Sequence, residues 1–258
     1  MSLFKKLAAS AGIGAAKVNT ILEKNEFLPG EKVNGSVHVK GGNAEQHIRY
    51  IELLLETEYA IVKDDKKERK TVTIESRRVT EAFTISPGEE RRFPFSFILP
   101  LDTPMTMKET RVFLFTDLDI QGGIDKSDKD PIAVKPHPWI ESVLEAMGDL
   151  GFRLQEADCE YAPYFKRRMP FVQEFEFVPV SQKYRRLFDE LELIFLLEDN
   201  GLDVIIEVDR RARGLRGWLE EMYNEGEQLV RVHFAEAELK HTEKLKTSLQ
   251  AIIEQHAG

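Results

Sequence analysis

The chain has 258 residues, 42% of them hydrophobic, and a formal net charge of −9, which is length enough for two ordinary domains with separate cores. The negative charge opposes any general attraction to nucleic-acid phosphates or anionic lipid, so no nucleic-acid partner is expected. Cys159 is the only cysteine, which excludes an intrachain disulfide and fits a reducing, cytoplasmic compartment.

At the start, Leu3, Phe4, Leu7, Ala8 and Ala11 form a short apolar stripe beside Lys5 and Lys6. It is too brief for a signal peptide and supports at most a weak peripheral membrane contact, with packing or disorder the favoured reading. No run of about 18 apolar residues occurs, so no transmembrane segment is expected.

Most of the chain alternates apolar and polar residues with period two, the pattern of strands that bury one face. Val33, Val37 and Val39 share a face with Gly35; Ile51, Leu53, Leu55, Tyr59 and Ile61 form the next stripe. The charged run 63–70 reads as a hairpin tip, and a strand is predicted after it over 71–79. Phe93, Phe95, Phe97 and Leu99 make a further strand that ends at Pro100, and the alternation resumes over 111–120.

Between Asp117 and Pro138 the composition shifts to Asp, Gly, Lys and Pro, as in an interdomain connection, and the boundary is placed near Ser127. Within it, Asp117, Asp119 and Asp128, with Gln121, Gly122 and Ile124, approximate the spacing of a calcium loop. The β-like flanks and the short Asp at the closing position favour a solvated connection instead.

The second half repeats the strand pattern at 132–135, 152–160, 171–178, 185–197, 202–208 and 229–234, with no alternation of strand and long helix. Short helices are predicted over 138–150, where Trp139, Val143, Leu144 and Met147 recur at helical spacing, and over 215–223. From Glu236 onward, Leu239, Leu245, Leu249, Ile252 and Ile253 define an amphipathic helix. Packing on the domain is the favoured role for that stripe, a homodimer or partner contact the other. The fold class expected is therefore all-β: two tandem β-sandwiches over 1–127 and 128–235, plus a C-terminal helix over 236–258.

No catalytic signature or nucleotide-cradling loop is present and the six histidines show no close ligand spacing, so neither enzymatic activity nor a cofactor is expected. Cys159 lies between Asp158 and Glu160, which disfavour a thiolate. Arg210, Arg211, Arg213 and Arg216 form the densest basic cluster. Guanidinium groups at that density can grip carboxylates or phosphates, or bridge within this acid-rich half. Through Asp130 the chain has 20 Lys and Arg against 21 Asp and Glu, and beyond it 16 against 24. The second half, with its arginine cluster, is thus the first place to seek a partner.

Two segments carry a family likeness: Phe27-Leu-Pro-Gly-Glu-Lys-Val-Asn-Gly-Ser-Val-His-Val39, and Phe83-Thr-Ile-Ser-Pro-Gly-Glu followed by the aromatic strand to Leu99-Pro100. Both resemble strands of arrestin-like domains entered through a Pro-Gly-Glu turn, in which Pro presets one dihedral and Gly supplies the permissive one. Thr116-Asp-Leu-Asp-Ile120, Leu150-Gly-Phe-Arg-Leu154, the segment Pro170 to Pro179 and Glu207-Val-Asp-Arg-Arg-Ala-Arg-Gly214 narrow the likeness to the bacterial sporulation-control proteins. The resemblance implies two arrestin-like, immunoglobulin-like sandwiches and a cytosolic regulator of sporulation or cell division that acts through other proteins. It transfers no active site. The alternative is a β-sandwich protein that binds calcium or a small anion.

Overall fold

The structure, a computed structural model, describes residues 14–63, 66–187, 189–209 and 230–256. The N-terminal stripe, the helix predicted over 215–223 and all four arginines of the basic cluster lie outside these residues. The chain divides into two compact units: Met1–Thr57, Thr71–Thr103 and Arg111–Val134, and then Glu58–Lys70, Pro104–Thr110 and Lys135–Gly258.

In the first unit, β1 (Lys17–Leu22), β3 (Lys32–Lys40) and β7 (Glu90–Ile98) form an antiparallel sheet in the order β1-β3-β7. A second layer is built from β4 (Gln46–Lys63), β8 (Val112–Ile120), β9 (Lys126–Val134) and the short β2 (Glu26–Phe27), with β5 (Lys66–Thr80) and β6 (Phe83–Ile85) also on β4; residues 58–63 of β4 and 66–70 of β5 belong to the second unit. Period two decides which face is hidden. Val33, Val37 and Val39 on β3 and Ile51, Leu53 and Leu55 on β4 are all at most 2% exposed. Phe97 of β7 meets Leu53, Leu55 and Leu114 around a cavity of only about 10 Å³, so the two layers interdigitate closely. Pro94 is accommodated because β7 is an edge strand within its sheet.

β1 is held to the second layer by polar contacts. The Thr20 backbone N–H donates to Asp128 Oδ2 at 2.6 Å, and the Thr20 and Thr116 hydroxyls are 2.6 Å apart. The boundary position near Ser127 falls inside β9, where Ser127 pairs with Asp117 of β8.

In the second unit, β10 (Phe152–Tyr161), β11 (Phe171–Pro179), β12 (Glu190–Glu198), β13 (Gly201–Asp209) and β14 (Val230–Ala235) run as an antiparallel meander. The helix α1 (Pro138–Leu150) begins at His137, whose Nδ1 accepts the Trp139 N–H at 3.3 Å, and ends at Gly151 in the left-handed region. A short α2 (Glu236–Leu239) and then α3 (Thr242–Gln255) come after β14. Ile140, Val143 and Met147 of α1 and Leu245, Leu249 and Ile253 of α3 are buried with Phe175, Phe177, Leu191, Leu193, Val204 and Ile206 of the sheet.

This corrects the expectation of a second sandwich: the layer over the apolar face of β10–β14 is helical. Alternation states that one strand face is buried, not what buries it, and the apolar stripes of α1 and α3 supply that cover. The protein is mostly β, with this helical layer in the second unit.

The close packing of both units can be tested by substitution. A Cβ on Gly35 would stand 2.6 Å from Phe95 Cζ and 2.7 Å from the Ile21 carbonyl oxygen, so Gly35→Ala is expected to cost about 1–3 kcal/mol in urea unfolding. Leu249 is fully buried, and Leu249→Ala should cost about 2–5 kcal/mol. The exposed Lys244 on the same helix should change stability by no more than about 0.5 kcal/mol when replaced by Ala.

Candidate functional site

The acidic residues singled out in the sequence do not converge. Asp117 and Asp119 lie on β8, but Asp128 is in register with Thr116, so its side chain belongs to the opposite face from Asp117. Each is engaged differently. Asp119 accepts from the Arg49 guanidinium, Asp128 accepts the Thr20 N–H, and burial followed by Asp125 and Asp119 pushes the Asp117 carboxyl up. Among the described residues, no group of three or more His, Cys, Asp or Glu is arranged to hold a metal ion. Cys159 is fully buried, and burial pushes its thiol well up despite the Thr110 hydroxyl 4.0 Å away, which leaves it protonated and shielded.

What the structure does bring together is a set of carboxylates on the sheet face of the second unit opposite the helices. Burying Phe175 and Phe177 of β11, Leu191 and Leu193 of β12, and Val204 and Ile206 of β13 on one face turns Glu174, Glu192 and Glu207 to the other. Glu192 pairs directly with Glu207, and Glu174 is diagonal to Glu192 because Glu176 is the residue opposite it. Direct pairs stand about 5 Å apart at Cβ, and diagonal ones about 7–8 Å. Val172, Ile194, Leu196 and Ile205 form an apolar patch on the same face.

Cations lie at the two ends of this face. At one end the Arg69 guanidinium grips Asp158 bidentately, at 2.9 and 2.7 Å, and Lys67 bridges Asp158 and Glu160 at 3.2 and 2.9 Å. At the other, Arg231 Nε donates to Asp203 at 2.8 Å and His233 Nδ1 lies 2.6 Å from it. Burial opposes ionisation of Asp203, yet the His233 and Arg231 contacts hold its carboxyl below the usual range.

The centre is different. Glu192 is 5% exposed, and the Oε2 atoms of Glu174 and Glu192 are buried without a hydrogen-bond partner. Burial and then Glu192 hold the Glu174 carboxyl well above the normal range. Burial likewise raises Glu192, to about 7, although contacts with Glu174 and Glu207 oppose the shift. Carboxylates this close cannot all ionise in a low dielectric, so the group retains protons near neutrality and shares them between neighbours.

This cluster was not anticipated from the sequence. Its signal was Glu and Asp at period two in three successive strands, which alternation alone assigns to a solvated face. The arginine cluster at 210–216, whose members are Arg210, Arg211, Arg213 and Arg216, lies outside the described residues.

The folded second unit should hold a proton at the Glu174–Glu192 pair that the unfolded chain releases between the ordinary glutamate range and about 7. Folded-state carboxyls raised above their unfolded values make stability fall as pH rises through that window, by about 1.4 kcal/mol per pH unit per extra proton. Urea midpoints compared at about pH 5 and about pH 7.5 should show this loss, and Glu192→Gln should flatten it by about one proton. Equal pH dependence in both proteins would remove the proton from this pair.

The model of the family described as SpoOM protein matches residues 4–212. The sporulation-control protein spo0M of Bacillus subtilis (strain 168) is 68% identical over 257 residues, covering 100% of both chains. The crystal structure of Spo0M, sporulation control protein, from Bacillus subtilis matches with a TM-score of 0.91 at 67% identity, covering 95% of this chain and 100% of that one. The resemblance first carried by the two Pro-Gly-Glu segments therefore extends along the whole chain, which belongs to the SpoOM family of sporulation-control proteins.

Proposed function

We propose that this protein controls sporulation from the cytoplasm by binding other proteins, without catalysing a reaction. The observation that carries the reading is 68% identity over the full length to a protein named for sporulation control. Its first unit, two β-layers entered through Pro-Gly-Glu turns, is read as an arrestin-like sandwich that presents loops and strand edges. Gly30 and Gly88 of those turns both adopt positive φ, at 81° and 70°, the conformation such turns require of glycine.

Chemistry supports a binding role over a catalytic one at the site most open to challenge. The one thiol is buried and protonated, so it is no ready nucleophile. Exposed apolar side chains in the first unit, Ile21 at 48%, Ile98 at 58% and Leu101 at 49%, offer surface of the kind partners cover.

Expressing the chain in a Bacillus subtilis strain that lacks spo0M should restore the parental sporulation frequency. Crosslinking during sporulation should recover reproducible protein partners absent from a charge-matched control. Failure to complement would overturn the sporulation role, and complementation with no partner recovered would overturn the mode of action.

A further inference from the structure

In the first unit the outward face of the sheet β1-β3-β7 carries a stripe of cations in an otherwise acidic chain. The register sets Lys17 opposite Lys40, and Lys40 opposite Glu90; the next row is Asn19, His38 and Arg92. These two rows line a groove of about 260 Å³. Two like charges placed directly across a strand pair destabilise the sheet, so the Lys17–Lys40 juxtaposition is a cost that folding alone does not explain. Neither Lys17 nor Arg92 has a carboxylate within salt-bridge distance among the described residues. Lys40 has only Glu90, at 2.8 Å, and both of those side chains are at least 60% exposed. Such a surface pair contributes little and yields readily to a better partner.

The same face turns apolar in the row beyond. Ile21, 48% exposed, lies opposite Ser36, and Ser36 opposite Pro94. The face thus changes from cationic to apolar over one further residue pair on each strand, about 7 Å along the sheet. A peptide can match both halves with neighbouring side chains. A free phosphate would use only the first half, and a bilayer presents one charged headgroup plane, with no apolar group beside the charge at that spacing.

We propose that this groove docks an acidic segment of a partner protein, its carboxylates on Lys17, Lys40 and Arg92 and an adjacent apolar side chain on Ile21. The inference rests on the protein-binding function proposed above and names the chemistry of one partner. His38, hydrogen-bonded to Ser36 at 2.8 Å, lines the groove between Asn19 and Arg92.

The test titrates the full chain with a fluorescent Glu- and Asp-rich peptide carrying one leucine, with inorganic phosphate and phosphatidylglycerol vesicles as parallel probes. The peptide should bind, and more weakly as salt rises. Lys17→Glu and Arg92→Glu should each weaken it by about tenfold or more. Lys17→Glu also replaces a like-charge pair by an opposite one, so its melting temperature should not fall, which separates lost binding from lost folding. Peptide binding that survives both substitutions, or that is lost only when Arg210 and Arg211 become alanine, overturns the groove. Vesicle binding that equals peptide binding and is lost with Lys17→Glu overturns the protein segment as occupant. If crosslinking still recovers the native partners with Lys17→Glu, the groove fails while the protein-binding function stands; if it recovers none with the unaltered chain, that function fails first.

Discussion

The register of β11, β12 and β13 is the constraint on which the second unit depends. Strand side chains alternate strictly, so committing Phe175, Phe177, Leu191, Leu193, Val204 and Ile206 to the helical layer leaves no choice about the other face. Slipping one strand by a single residue would expose its aromatic or aliphatic set to water. The apolar packing of α1 and α3 therefore fixes where Glu174, Glu192 and Glu207 stand, and the cost of crowding carboxylates is carried by that packing. Protonation reduces the cost, which is why the cluster holds its protons toward neutrality instead of being driven apart.

Carboxylates a few ångströms away behave differently because their partners differ. Asp158 faces the fork of Arg69 together with Lys67, and Asp203 faces Arg231 and His233. A bidentate guanidinium satisfies both oxygens of a buried carboxylate and stabilises the charge. Glu174 and Glu192 instead stand among apolar side chains and other carboxylates on that face, Glu192 opposite Glu207 and Glu174 opposite Asp158. One sheet face thus contains anions fixed by cations at its ends and a proton-sharing group at its centre.

The first unit uses polar groups for closure instead. Asp128, which sequence spacing suggested as an ion ligand, accepts the Thr20 N–H and so ties β1 to the layer that contains β9. A backbone donor on that edge is thereby occupied by a side chain, a way of managing an edge strand. The face of β1-β3-β7 that remains outside carries the Lys17–Lys40 pair, which the fold tolerates at a stability cost.

Strand existence and buried stripes were legible in the residues. The faces of β3, β4 and β7, the helix over 138–150 with Pro138 at its start and Gly151 at its end, and the buried face of α3 come from periodicity and capping chemistry, which are local properties. Gly35 was placed on the buried face of β3, but that a Cβ there would meet Phe95 and the Ile21 carbonyl oxygen is seen only in the structure. The sequence by itself thus determined most of the strands, the faces they bury and the family likeness; β1, β2 and β6 were not read from it, and residues 66–70, expected in a hairpin tip, belong to β5. Only the tertiary structure decided what covers each face and which charges meet. Sandwich and helix-covered sheet share the same alternation, so the helical layer of the second unit was not readable from its strands. Glu174, Glu192 and Glu207 are far apart in sequence, and Lys17 is 23 positions from Lys40, the residue it faces. Strand pairing brings them together, and pairing is a long-range choice made by the core.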